Sequence, residues 1–337
     1  MAGNYHYQTG MIPLMILDAA PNCVKFITID SCRAGQRIDN FLLSQLKGVP
    51  KSRIYRILRK GEVRVNKGRV KPEYKLSDGD SVRIPPIRVS QKEAPPQPSA
   101  NLANLLEASI LFENDDLMVV NKPSGLAVHG GSGVSLGLIE SFRQIRPEHS
   151  FLELVHRLDR DTSGCIMIAK KRSSLRYIQQ ELREGRIQKI YRALVVGRWP
   201  NRRRSVNAPL VKSQLSGGER MVRVAIDENA DGVKKSLTEY RVIERYEGCT
   251  LVEARPITGR THQIRVHCQS VGCSIVGDDK YCDEGVNKQY RQRGLKRLFL
   301  HAFRLQFTLP DKSPVTVEAE MGQDLTAVFS NLVVSVP

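Results

Sequence analysis

The chain alternates apolar and polar positions in two distinct registers, each predicting different elements. From about Gly35, the residues Ile38, Phe41, Leu42 and Leu46 recur at helical spacing, which predicts an amphipathic helix over QRIDNFLLSQL. A second helix is expected after Pro50, with Ser52 as its N-cap, Ile54, Ile57 and Leu58 on the buried side, and Gly61 as its stop. EVRVNKGRVKP then alternates as a strand would and turns at Asn66-Lys67-Gly68, while LSDGDSVRIP supplies another turn and a last strand. Residues 85–100, PPIRVSQKEAPPQPSA, break the pattern. Prolines at 85, 86, 95, 96 and 98 exclude helix and central strand and predict an extended spacer.

Beyond the spacer the pattern resumes. ILFENDDLMVVNKPSG reads as strand with a turn at Lys122-Pro123-Ser124-Gly125. In FLELVHRLDRDTSGCIMIAKK two apolar runs, LELV and CIMIA, flank a polar loop from His156 to Gly164. SSLRYIQQELREG is expected to be a helix burying Leu175, Ile178 and Leu182 and stopping at Gly185. IQKIYRALVVG follows as a strand that carries Tyr191 near its start. A chain of 337 residues exceeds the usual single domain. The expected division is an extension of unassigned role over 1–33, a small domain over 34–88, a Pro-rich linker over 89–106 and a larger domain over 107–337.

Charge narrows the class of partner. Lys and Arg number 52 against 35 for Asp and Glu, so the formal net charge is 52 − 35 = +17, and the pI is near 9.7. Such a balance points to a polyanion. Nine cations (Lys51, Arg53, Arg56, Arg59, Lys60, Arg64, Lys67, Arg69, Lys71) and one acid, Glu62, fall between residues 51 and 71. Arg53, Arg56 and Lys60 share one helix face. A single-sign stripe beside a basic hairpin suits a phosphate backbone, whereas a merely solvated face mixes signs. Seven cysteines without a Cys-x-x-Cys pair argue against a disulfide framework or a zinc ribbon, so reduced thiols in a cytoplasmic protein are expected. The first residues show no signal-peptide pattern and no apolar run is long enough to span a bilayer, so no membrane partner is expected.

The chemistry concentrates at Asp159. Strand, loop and strand place it at the end of a sheet, where Arg157 and Arg160 favour the ionised form that a base or nucleophile needs. An Asp that only caps a turn is the competing reading, since D-x-T and D-x-S sequences often do so. Other chemistries lack their core residues. His129-Gly130-Gly131 fits a hydrolase oxyanion loop, but no G-x-S-x-G elbow accompanies it, and HRLDRD has no D-F-G partner of a kinase. Walker A and H-E-x-x-H patterns are missing as well. RPITGRTHQIRVH gathers Arg255, Arg260, Arg265, His262 and His267, with the histidines five apart and therefore ill-placed as paired metal ligands on a helix.

Two resemblances give these segments a context. GQRIDNFLLSQLKGVPKSRIYRILRKGEVRVNKGRVKPEYKLSDGDSVRIPP resembles an S4 domain, which implies binding of structured RNA through the helix pair and the turn after it. HRLDRDTSG, QKIYRALVVG, PITGRTHQIRVH and LFLHAFRL stand in the order of the RluA family of pseudouridine synthases, over about residues 107–325. That resemblance implies an α+β fold with a mixed, largely antiparallel sheet and flanking helices. It implies isomerisation of uridines in large-subunit (23S) ribosomal RNA, with no metal and no cofactor. It makes Asp159 the catalytic carboxylate, Tyr191 the ring that stacks on the base, and Arg265 the partner of the aspartate, with Arg260 as a rival. Arg157 would fill the space of a flipped-out base, and Leu298, Leu300 and Ile264 would wall the pocket. A monomer is expected. The competing reading from another class is a catalytically silent assembly factor that only binds ribosomal RNA.

Overall fold

The computed structural model describes residues 23–31, 33–46, 48–87, 96–131, 136–214 and 220–335. The chain divides into two compact units, Met1–Glu93 and Ala94–Pro337.

In the first unit β1 (Lys25–Thr28), α1 (Ile38–Gln45), α2 (Lys51–Arg59), β2 (Arg64–Val65) and β3 (Ser81–Ile84) follow one another. The strands form an antiparallel sheet in the order β1-β3-β2. Ile38, Phe41 and Leu42 of α1 and Ile54, Ile57 and Leu58 of α2 share one core with Val63, Val65 and Val82, as their spacing predicts. Three local expectations change. Ser52 lies within the first turn of α2 and caps nothing, because Pro50, with its fixed φ, occupies the cap position. The expected turn at Asn66-Lys67-Gly68 is present, with Asn66 and Lys67 at φ of 49° and 69° in a primed two-residue turn, but the strand ends at Val65 and does not resume through residue 71. Residues 25–28 belong to this sheet and not to an extension, since Ile27 pairs with Val82 on the inward face. Residues 1–22 lie outside the described residues.

The second unit begins with α3 (Ala100–Ala108), β4 (Ile110–Glu113), β5 (Leu117–Lys122) and α4 (Leu138–Ile145). Then come β6 (Glu153–Leu154), β7 (Ser163–Ala169), α5 (Arg172–Arg183), β8 (Gln188–Val196) and β9 (Ser205–Asn207). A ribbon of β10 (Leu210–Gln214) and β11 (Arg220–Val224) precedes β12 (Leu237–Tyr246) and β13 (Cys249–Pro256). The last elements are α6 (Gln263–Ser270), α7 (Glu284–Gln292), β14 (Leu300–Thr308), β15 (Pro314–Glu318), α8 (Gln323–Thr326) and a 3-10 turn at Ala327–Asn331. The fold is α+β. Its main sheet runs β4-β5-β7-β14-β8-β13-β12-β9, with β15 on β14 and β6 on β7, and among these pairings β7–β14 alone is parallel.

Strand β7 shows why the sheet sits inside the unit. Every one of its residues is buried, so both of its faces are covered. Ile166 and Ile168 join a core with Ile139 and Phe142 of α4, while Cys165, Met167 and Ala169 join another with Ile178 of α5 and Phe307 of β14. The linker expected over 89–106 is shorter than the proline pattern indicates. Pro98 is the last proline; Ser99 then caps α3 by accepting from the Leu102 amide at 3.3 Å, and Leu106 is fully buried in the core. Residues 88–95 lie outside the described residues. Among the described residues no helix is long and apolar enough to cross a membrane.

Candidate active site

The loop bearing Asp159 opens directly into the parallel junction of the sheet. His301 pairs with Ser163 and Ala302 with Gly164 across β14 and β7. Gly164 has φ of +107°, and a Cβ there would lie 2.3 Å from the Ala302 carbonyl oxygen, so only glycine lets the two strands meet. From the other side the turn after β5 clasps the loop. Lys122 is completely buried, and its Nζ donates to the carbonyls of Pro123, Leu126 and Arg160 at 2.8, 2.8 and 2.9 Å. The Gly125 amide donates to the Arg160 carbonyl and Ser124 Oγ to the Asp161 carbonyl. Burial pulls the Lys122 ammonium down to about 7, with the Asp161 charge resisting. Three carbonyl acceptors match the three protons of the ammonium and exceed the two of a neutral amine. In sequence these residues read as no more than a turn.

Three charged side chains meet where this loop faces α6. Arg265, nearly fully buried in the first turn of α6, donates from Nη1 to Asp159 Oδ2 at 3.4 Å. Its shorter bonds go elsewhere, from Nε and Nη2 to the two oxygens of Asp278, both at 2.7 Å. Asp278 also accepts from the amides of Lys280 and Tyr281. Burial opposes the Arg265 charge, but the bonds and charge of Asp278, with Asp159 behind them, leave its pKa above the ordinary arginine value. A bidentate pair of this kind fixes the plane of the guanidinium. The rival Arg260 is exposed, its Nε bonded to the Lys235 carbonyl, so Arg265 is the inward arginine of the motif.

His262 precedes α6 with a left-handed φ of 52°. Its Nδ1 lies 2.8 Å from the Tyr281 hydroxyl, which itself accepts from the Val222 amide of the ribbon at 3.1 Å. The His262 Nε2 lies 3.9 Å from Asp159 Oδ2. Burial lowers the pKa of His262, with Asp159 pulling it up and Arg265 down. Gln263 pins the bend: its Oε1 accepts from Thr258 Oγ1 and the Arg260 amide, and its Nε2 donates to the Leu237 carbonyl and Thr238 Oγ1.

Beside this cluster opens a cavity of about 470 Å³, a size ordinary for a small-molecule ligand. Asp159, Arg265, Tyr191, Leu300 and Ile264 line it, and the exposed Arg157 stands on its wall. Tyr191 pairs with Ala254 on one side and Ala302 on the other, so small neighbours leave room against its ring. Burial, and then the Asp159 charge, raise the Tyr191 pKa. Leu298 does not line the cavity. It precedes β14 in an irregular stretch, so the two-residue alternation that would put it beside Leu300 does not apply, and it packs in the core. Lys189 was missed in sequence although alternation places it on the face of Tyr191; it lines the cavity and burial lowers its pKa. Asp278 and Tyr281 left no sequence signal comparable to the Asp159 loop.

The first unit presents its cations outward. Lys51, Arg56, Arg59, Lys60, Arg64, Lys67 and Arg69 are exposed and Arg53 is half-buried.

Comparison with known proteins gives the family. Residues 116–270 match the RNA pseudouridylate synthase family and residues 36–82 match the S4 domain. The chain is 59% identical to ribosomal large subunit pseudouridine synthase C of Pasteurella multocida, over 85% of this chain and 87% of the relative. It is 54% identical to the protein of that name from Escherichia coli, over 92% and 97%. Among solved structures, human RNA pseudouridylate synthase domain containing 4 superposes with a TM-score of 0.57 at 26% identity, covering 70% of this chain and 97% of that one. The chain belongs to the RluA family of pseudouridine synthases, in the branch that carries an S4 domain ahead of the synthase domain.

Proposed function

We propose that the protein converts specific uridines of large-subunit ribosomal RNA to pseudouridine, with Asp159 as the carboxylate that acts on the nucleotide. The carrying observation is the Asp159 carboxylate beside the buried, doubly anchored Arg265 at a cavity floored by Tyr191. The ribosomal substrate rests on the names of the relatives.

The reaction breaks the N1–C1′ bond, turns the uracil, and joins C5 to C1′. The target nucleotide first leaves its helix, at a cost on the order of a few kcal/mol. Arg157 takes the vacated space, and phosphate contacts of the basic first unit offset the cost. In the cavity the base stacks on Tyr191, worth roughly 1–3 kcal/mol by analogy with other single-strand contacts. Asp159 then either attacks C1′ or removes the C2′ proton. In both routes Arg265 supplies a fixed positive charge in a site from which water is excluded, and Asp278 keeps that charge aimed without reorganisation.

The test is pseudouridine mapping of large-subunit ribosomal RNA from cells with the wild-type chain, without it, and with Asp159→Asn. Sites that vanish in the last two support the reading. If every site persists in all three, the protein either acts on another RNA, tested next with purified protein and transfer RNA, or binds RNA without chemistry.

A further inference from the structure

The outward face of the small sheet carries residues that the α2 stripe and its following turn do not explain. Strand alternation sends Ile27, Val82 and Val65, mutual partners across β1, β3 and β2, towards the core of the first unit. The adjacent row is Phe26, Arg83 and Arg64, again in direct cross-strand register, and it faces outward. An outward sheet position usually holds a polar residue. Phe26 is instead 68% exposed, the highest value for any phenylalanine, tyrosine or leucine among the described large apolar side chains.

The two arginines beside it are braced from below. Arg83 Nη1 donates to the Glu62 carbonyl at 2.7 Å, and Arg64 Nε donates to the Gly61 carbonyl at 3.3 Å. Among the described residues neither guanidinium has an ion-pair partner. Lys60 and Lys67, both exposed, border the same open hollow of about 1070 Å³, and Glu62 is the one acid among the described residues that line it.

We propose that this face is a second RNA contact, taking an unpaired nucleotide that stacks on Phe26 while its flanking phosphates meet Arg83, Arg64 and Lys67. Directly opposed strand residues have Cβ atoms about 4.5–5.5 Å apart, so one nucleotide can touch ring and guanidinium together. Four cations against one acid select a polyanion, and an exposed ring favours an unstacked base over a duplex, whose bases present no free face. The inference rests on the reading of the protein as an enzyme of RNA and deepens it. The α2 stripe offers charge alone, whereas this face also tells single-stranded from paired RNA.

The experiment compares full-length wild type, Phe26→Ala and Phe26→Trp for binding to two fragments of large-subunit ribosomal RNA, one with an unpaired loop and one fully paired. Phe26→Ala is expected to weaken loop binding about five- to a hundredfold, the range of one lost stacking contact. Phe26→Trp should retain it, and paired RNA should bind all three alike. Arg83→Ala should lower the salt slope of loop binding by about one. Equal losses on both fragments, or no loss on the loop, would overturn the proposal. A fall in melting temperature with unchanged RNA binding would instead assign Phe26 to a contact within the chain. Pseudouridine formation is measured in parallel: if it is absent while Phe26-dependent loop binding persists, the enzymatic reading fails and the binding face stands.

Discussion

The basic stripe of the first unit and the charged cluster around Asp159 in the second hold their charges in opposite ways. In the first, exposed Lys and Arg side chains from α2 to the turn after β2 share water and salt with their surroundings, and their worth lies in number. In the second, Lys122, Arg265 and Asp278 are withdrawn from water and every charge is met by fixed partners. Exposed charge attracts a polyanion from a distance and is screened by salt. Buried charge does not attract at range, but it is already oriented when a substrate arrives. RNA capture and bond chemistry therefore draw on different physics within one chain.

Asp159→Asn should separate the two most sharply. It should abolish pseudouridine formation, read by mapping, while RNA affinity stays within about twofold, because the phosphate contacts are elsewhere. Next in size is Asp278→Ala. Removing one partner of a buried pair costs roughly 3–5 kcal/mol, so a large drop in unfolding free energy should accompany lost turnover, although Asp278 touches no cavity-lining role of its own. Asp278→Asn, which keeps the shape and part of the hydrogen bonding, should recover stability ahead of activity.

Acid should sharpen the contrast further. Burial lowers His301 to about 4 and His156 to about 3, from 6.5. In that window the unfolded chain takes the proton that the folded chain refuses, so stability of the second unit falls as pH drops from about 6.5 to 4. The His301 shift alone amounts to about 3 kcal/mol at 1.36 kcal/mol per pH unit. The described residues of the first unit hold no histidine. Its buried Asp39, lowered from 3.8 mainly by the Arg37 hydrogen bond, gives up stability only as pH falls below that value. Hydrogen exchange followed unit by unit across this range should find the second unit opening first. The smallest effect belongs to single α2 cations: Arg56→Ala or Arg59→Ala should lower the salt slope of RNA binding by about one and leave chemistry on a short fragment unchanged.

Periodicity made α1, α2 and α5 legible because their apolar faces pack locally, and the polar loop between two apolar runs marked Asp159. Helix α3 was hidden by the proline density just before it, since Leu102 and Leu106 are too few to announce a period. Asp278 could not be paired with Arg265 from sequence, because the contact is made across a turn by tertiary packing. Leu298, placed at the pocket by resemblance, packs in the core instead, because β14 begins only at Leu300. Lys122 reads only as the start of a turn until the three carbonyls around its ammonium are seen.

The meeting of Gly164 with Ala302 has a consequence for anyone who would map this enzyme by genetics. Gly164→Ala puts a methyl group into a backbone oxygen at a positive φ, and the damage falls on the parallel junction that delivers the Asp159 loop. A screen scored on activity would return position 164 beside position 159 as equally essential, though the glycine has no group to react. Purified protein distinguishes them: the Asp159→Asn chain should melt with the wild type, and the Gly164→Ala chain well below it.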